Sequence, residues 1–255
     1  MSAPQPTVVI VPGAWQLPAG FDLILAQLKE ANIPAEFVPL PSVGGTELPL
    51  TGLPEDVAAV RSTLTRLADE GKDMVLLGHS YGGVVVSCAV EGFDAASRAK
   101  EGKTGGVILT VFMSAFMLPK GQSLLGVLGG APLPWMNVEG DRVSGVAAMM
   151  PQVAFNDIPE EKMAEYGAQM SHTSALVFAT PSTYEPWANG LPCTYIFLTD
   201  DNALPYPIQQ QMASQIGPDA KTWSLKAGHL PHLSMPSELA KTIGEISEYA
   251  VSKKA

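Results

Sequence analysis

A glycine-framed serine, Gly78-His79-Ser80-Tyr81-Gly82, lies between the apolar runs 74–77 and 84–86. That pattern predicts a buried strand, a tight turn and a helix. In such a turn the serine is held in a strained conformation, with its hydroxyl clear of the backbone at the carboxyl edge of a sheet. Gly78, Gly82 and Gly83 suit it because a Cβ at any of them would collide with the adjoining strand or helix. One short segment thus predicts both a strand-to-helix topology and a nucleophile.

The same alternation runs through most of the chain. Strands are expected over 7–11, 35–39, 74–77, 107–113, 194–199 and 222–225. Between them, Phe21, Ile24, Leu25 and Leu28 recur at helical spacing, as do Val57, Val60, Leu64 and Leu67 behind Pro54 and two acids. Ile208, Met212 and Ile216 mark another helix, closed by Gly217, and Leu239, Ile243, Ile246 and Ala250 mark a last one. The run 107–113 is apolar throughout, as parallel strands buried on both faces are. The expected fold class is therefore α/β, a mostly parallel sheet flanked by helices on both faces.

Residues 119–188 break the rhythm over a stretch far longer than an ordinary connection. This stretch holds Trp135, Trp187, Met136, Met149, Met150, Met163 and Met170, and Asp157-Ile158-Pro159-Glu160-Glu161 reads as a helix start with acids in its first turn. The expected organisation is a core of residues 1–118 and 189–255, with a mainly helical cap, 119–188, inserted over the sheet's carboxyl edge.

Composition excludes several function classes. At 255 residues, 46% hydrophobic and 16% charged, the chain can bury a sizeable core and is not disordered. No apolar run reaches about 18 residues, so no membrane partner is expected. A net charge of −10 argues against nucleic acid. The opening residues lack a basic segment followed by an apolar one, and a cytoplasmic location is expected. Cys88 and Cys193 read as two buried free thiols. Metal-ligand spacings are missing, and the four histidines do not cluster as ligands would. Neither metal nor cofactor is expected, and a homodimer is left open.

A serine nucleophile needs a base, and the base needs an orienting acid. After Ser80, the strand 194–199 runs into Asp200-Asp201, and the strand 222–225 is followed by Gly228-His229 and then His232. The order serine, acid, histidine is the one this sheet type uses. His229 is the candidate base, and His232 a pocket or structural residue. His79 reads as packing within the elbow, and His172 as solvent-facing, with substrate contact the alternative. Asp201 fits the acid better than Asp200, and the residues alone leave both open. Two N–H donors are needed for the oxyanion. Tyr81 offers one, and the loop 11–15 offers the other at Ala14, where Gly13 lets the backbone come close.

Together these residues resemble the α/β-hydrolase superfamily, and within it the branch of plant methylesterases, hydroxynitrile lyases and related microbial and fungal hydrolases. The resemblance runs nearly end to end and is weakest in the cap. Val11-Pro12-Gly13-Ala14-Trp15 matches the branch's oxyanion segment, with Pro12 in place of the usual histidine. Pro39-Leu40-Pro41-Ser42-Val43-Gly44, the elbow, Thr199-Asp200-Asp201-Asn202-Ala203-Leu204 and Gly228-His229 match its other segments, as does Ser234-Met235-Pro236. The match implies that Asp201 is the acid. Ser80 stands where dehalogenases and epoxide hydrolases carry aspartate. Hydroxynitrile lyases carry threonine at Gly13 and lysine at Leu230, and both are missing here.

The resemblance implies a serine hydrolase for a carboxylic ester, lactone or thioester of a small, largely apolar substrate, acting through an acyl-enzyme on Ser80. A lyase, a cyclase or a ligand receptor on the same fold is the alternative. Substrate contacts are expected from Gly13, Trp15, Met117, Trp135, Trp187 and Leu230, with Met117 and Leu118 at the pocket floor.

Overall fold

A computed structural model describes residues 5–254. Of the amino-terminal segment read above, residues 1–4 lie outside the described residues. The strands are β1 (Thr7–Val11), β2 (Ala35–Phe37), β3 (Asp73–His79), β4 (Gly106–Met113), β5 (Met136–Glu139), β6 (Arg142–Gly145), β7 (Thr173–Ser174), β8 (Cys193–Leu198) and β9 (Trp223–Leu225). Helices α1 (Asp22–Glu30), α2 (Leu53–Asp69), α3 (Gly82–Ala89) and α4 (Ala95–Lys100) occupy the first half. Short helices α5 (Leu124–Val127), α6 (Met150–Val153), α7 (Glu160–Gly167) and α8 (Leu176–Ala179) lie between β4 and β8. Helices α9 (Tyr206–Ala213), α10 (Pro231–Ser234) and α11 (Pro236–Lys254) complete the chain.

Six strands form one sheet in the order β2-β1-β3-β4-β8-β9, and every pairing in it is parallel. Successive strand side chains point to opposite faces, so each strand feeds two cores. On one face Val8, Ile10, Val75 and Leu77 pack with Phe21, Ile24 and Leu28 around α1 and with Leu239, Ile243 and Ile246 of α11. On the other, Val9, Val11, Met74 and Leu76 pack with Leu64 and Leu67 of α2 and with Val84, Val85 and Val86 of α3. The expected strands and helices are all present, β1 with the expected ends and the other strands with ends shifted by at most two residues. Among the described residues no helix is long and apolar enough to cross a membrane.

Three expectations need correction. In α9, Ile208 is exposed, and the inward positions are Gln209 and Ala213. The Gln209 amide donates to the carbonyls of Leu198 and Leu204 and accepts from Leu198 N–H, so a polar side chain fills the place that an apolar stripe would predict. Cys193 is half-buried rather than buried, although both cysteines are free thiols. Between β4 and β8, short helices are joined by an antiparallel sheet, β5-β6-β7, which the expectation of a mainly helical segment missed. Its β5–β6 hairpin turns at Gly140-Asp141, where Gly140 has φ 61°, a turn signal that the surrounding methionines obscured.

His232, in α10, stacks on Phe21 with ring centroids 4.3 Å apart and is 2% exposed. Burial, and secondarily the nearby His229, lowers its pKa to about 3. In the unfolded chain it titrates near 6.5, so below that pH the unfolded state binds a proton that the fold refuses. The associated stability is complete above about pH 6.5 and is lost progressively as pH falls towards 3. His232→Phe is therefore expected to flatten the decline of melting temperature between pH 6.5 and 4. Parallel declines in the two proteins would show that His232 does not carry this dependence.

Candidate active site

β3 ends at His79 and α3 begins at Gly82, so Ser80 and Tyr81 make the whole turn. Ser80 has φ 53°, a left-handed conformation costly for a residue with a Cβ. Close backbone packing holds it there. A Cβ on Gly82 would stand 2.5 Å from the carbonyl oxygens of Val11 and Pro12. The Ser80 carbonyl accepts from the N–H groups of Gly83 and Phe116, both at 3.0 Å. These contacts aim the side chain out of the sheet, and Ser80 is 7% exposed.

The loops after β8 and β9 bring the acid and the histidine to the same edge. Asp201 Oδ2 lies 2.6 Å from His229 Nδ1 and also accepts from Ser114 Oγ at 2.6 Å. Its Oδ1 accepts from the N–H groups of Ala203 and Leu204, at 2.7 and 2.9 Å. Four donors thus fix one buried carboxylate, and the sequence pointed to neither Ser114 nor the Gln209 brace behind the loop. Asp200 is exposed, and its carboxylate accepts only from Thr199 Oγ1 among the described residues. Of the two adjacent acids, the one facing the histidine is Asp201. Ser80 and His229 line one cavity, and among the described residues their side chains make no direct hydrogen bond, as is common before a substrate tightens such contacts.

The N–H groups expected to bind an oxyanion are distinguished by what their neighbours do. Gly13 N–H donates to Gln16 Oε1 at 2.8 Å, and Trp15 N–H donates to Thr173 Oγ1 at 2.6 Å. Ala14 N–H, between them, has no acceptor among the described residues, and neither has Tyr81 N–H. Both residues line the cavity with Ser80 and His229. A Cβ on Gly13 would stand 2.8 Å from Ser80 Cβ, so only glycine lets this loop approach the serine.

His79 does more than pack within the elbow. Its Nε2 donates to the His229 carbonyl at 2.9 Å, and its Nδ1 accepts from Gln16 Nε2 at 3.1 Å. A carbonyl partner requires the proton on Nε2. Burial, then the neighbouring His229 and His232, hold its pKa well below the usual histidine range, so the ring is neutral. Through Gln16 this one imidazole ties the Gly13 loop to the backbone of His229.

A family model described as the alpha/beta hydrolase family matches residues 8–242. The chain belongs to the alpha/beta hydrolase family. It is 29% identical over 252 residues to the alpha/beta hydrolase nvfD of Aspergillus novofumigatus, covering 97% of this chain and 98% of that one. It is 26% identical over 255 residues to a pyrethroid hydrolase of Sphingobium wenxiniae, covering 94% and 87%. The crystal structure of polyneuridine aldehyde esterase superposes with a TM-score of 0.76 over 96% of this chain and 100% of that one, at 20% identity, a likeness of fold.

This hydrolase's cavity above Ser80 is narrow, about 40 Å³, and almost wholly apolar. Of the residues expected to touch substrate, Trp15, Trp135 and Leu230 line it and Gly13 does not; Met136, Met150 and Met170 join them from the segment between β4 and β8. Trp15, at φ 68°, also donates from Nε1 to Val143 O, which fastens the loop carrying Ala14 to β6. Two expected contacts are corrected. Met117 and Leu118 are buried in the sheet core, and Phe116, one residue earlier, faces the cavity. Trp187 packs edge-on against Phe112, 5.8 Å between centroids, and does not line the cavity. His172 is half-buried, with Nε2 donating to Gly45 O at 2.8 Å.

Tyr81 is anchored from below. Its hydroxyl donates to Asp56 Oδ2 at 2.8 Å, and Asp56 accepts as well from Ser42 N–H and Oγ, at 2.9 and 2.6 Å. Asp56 is fully buried, and burial raises its pKa against the lowering effect of the Ser42 bonds. A carboxylate held in this way depends on all three donors. Tyr81→Phe is expected to lower the free energy of urea unfolding by about 2 kcal/mol, the scale of a hydrogen bond to a charged group. Asp56→Ala strands three buried donors and is expected to cost more. Unfolding midpoints equal to wild type in both variants would remove the network from the stability of the elbow.

Proposed function

We propose that this enzyme hydrolyses carboxylic esters of apolar substrates through an acyl-enzyme on Ser80. The observation that carries the proposal is the meeting, at one apolar cavity, of Ser80, the Asp201–His229 pair and the two uncommitted N–H groups of Ala14 and Tyr81. Ser80 Oγ attacks the ester carbonyl while His229 Nε2 takes its proton. The ionised Asp201, across the 2.6 Å contact with Nδ1, stabilises the imidazolium that forms. Ala14 and Tyr81 N–H groups receive the oxyanion. Collapse of the tetrahedral adduct breaks the ester C–O bond, and His229 returns the proton to the leaving alcohol. Water, deprotonated by His229, then cleaves the acyl-enzyme and restores the serine.

Related proteins point the same way, since one is named a pyrethroid hydrolase and a similar structure is that of an esterase. Residues 119–188 would serve as the cap that keeps this chemistry dry. Low water content strengthens the oxyanion contacts. Leu230, 1% exposed, stands where the resemblance puts the lysine of hydroxynitrile lyases, and an apolar side chain does not stabilise a departing anion.

Two measurements test the proposal. A fluorophosphonate should label Ser80, and Ser80→Ala should lose about 10³-fold or more of ester turnover. An unlabelled wild type together with a fully active Ser80→Ala would refute it. With mandelonitrile, no cyanide release is expected. Release at a rate comparable to ester turnover, and abolished in Ser80→Ala, would make the enzyme a lyase.

A further inference from the structure

The cavity of about 40 Å³ above Ser80 is small beside the hollows around it. Two larger hollows abut it. One, of about 550 Å³, shares Trp15, Met150 and Met170 with the serine cavity as common walls. The other, of about 230 Å³, shares Leu128, Met136 and Phe178. Three of these six wall residues are methionines, whose unbranched, flexible side chains move aside at low cost.

The two hollows share no lining residue with each other, and Trp15, packed against Phe178, stands between them. Met150 and Met170 pack with Leu230, the residue after His229, in one small apolar cluster. Met136 and Phe178 belong to another, together with Leu124 and Phe116. Two walls of the 550 Å³ groove thus pack in the cluster that holds Leu230, and two walls of the smaller hollow in the cluster that holds Phe116. Acyl transfer gives the two sides of the serine different tasks. His229 must reach the departing oxygen to protonate it, so the alcohol arm of an ester lies on the His229 side and the acyl arm on the other.

Building on the ester-hydrolase reading above, we infer that the groove behind Trp15, Met150 and Met170 is the leaving-group subsite, and that the hollow behind Met136 receives the acyl chain. The substrate class is an ester whose alcohol is the larger apolar half. A methyl ester would leave the groove unused. Met150 and Met170 are specificity-determining residues that swing aside when the alcohol enters.

Two ester series separate the arms: acetates of alcohols from ethyl to octyl, and ethyl esters of acids from acetate to octanoate, followed by pH-stat. Ala164 lies on α7, is exposed, and lines the groove but not the serine cavity. Ala164→Phe is expected to lower the octyl acetate to ethyl acetate ratio of kcat/KM by about tenfold, the scale of losing apolar contacts in a pocket. The ethyl octanoate to ethyl acetate ratio should stay within about twofold. Met150→Ala should raise the first ratio and leave the second. Melting curves establish that both variants are folded. Equal changes in the two ratios, a change in the acyl ratio alone, or no change in a folded variant would overturn the subsite assignment. A wild type that hydrolyses neither series and takes no label at Ser80 would instead overturn the ester-hydrolase reading itself.

Discussion

Ser80 is held at φ 53°, where its own Cβ works against it. Most of the site follows from how that conformation is enforced. β1 and α3 approach until backbone touches backbone at Gly82, and the carbonyl of the strained residue binds N–H groups from α3 and from the loop after β4. Strain of this kind costs of order 1–3 kcal/mol and persists only where its surroundings over-determine it. Here they do so through the parallel sheet itself, because β1, β3 and β4 are neighbours in register. The loops that follow β1 and β4 necessarily emerge beside the serine, and they carry Ala14 and Phe116 into its cavity.

The second organising feature is a buried polar layer beneath the cavity. His79 joins Gln16, and through it Gly13, to the His229 carbonyl, while Asp56 joins Tyr81 to Ser42. Both are networks in which each buried group has its partner, the condition under which such layers rigidify rather than destabilise. Their consequence is coupling. The loop carrying Ala14 cannot shift without disturbing the backbone of His229, and Tyr81 cannot shift without leaving the buried Asp56 short of a donor. Small errors of position cost large factors in rate, which gives these networks a task beyond stability.

The parallel core was legible because its strands are short apolar runs and its helices carry clean stripes, as Ile243 and Ile246 of α11 do. Ser80 and His229 were legible because the elbow has its own glycine signature and the histidine follows a strand directly. Choosing Asp201 over Asp200 took the family resemblance, since adjacent residues differ only in direction. Gln209 was hidden for a physical reason: its amide caps the backbone of β8 from inside, a role that no hydrophobic period records. Phe116 and Met117 illustrate the same limit, because one residue of phase in an irregular loop decides which of them meets the cavity. Trp135 and Trp187 look alike as sequence, yet one sits on the strand-rich segment over the site and the other on a turn against the sheet.

A narrow apolar cavity over a polar layer also reconciles two demands that conflict in a rigid site. Charge separation in the Asp201–His229 pair and on the oxyanion is favoured when water is excluded and dipoles are fixed, and the hydrogen-bonded floor supplies that fixity. Admitting a substrate requires the opposite, and compliance is confined to the walls, where Met136, Met150 and Met170 make no hydrogen bond by side chain and so lose none on moving. Trp15 marks the boundary between the two regimes. Its backbone belongs to the fixed loop and its ring to the wall, and its indole bond to Val143 fastens the segment over the site to the oxyanion loop. Under the proposed function, motion of the walls would admit a bulky ester while the N–H groups of Ala14 and Tyr81 stay in place.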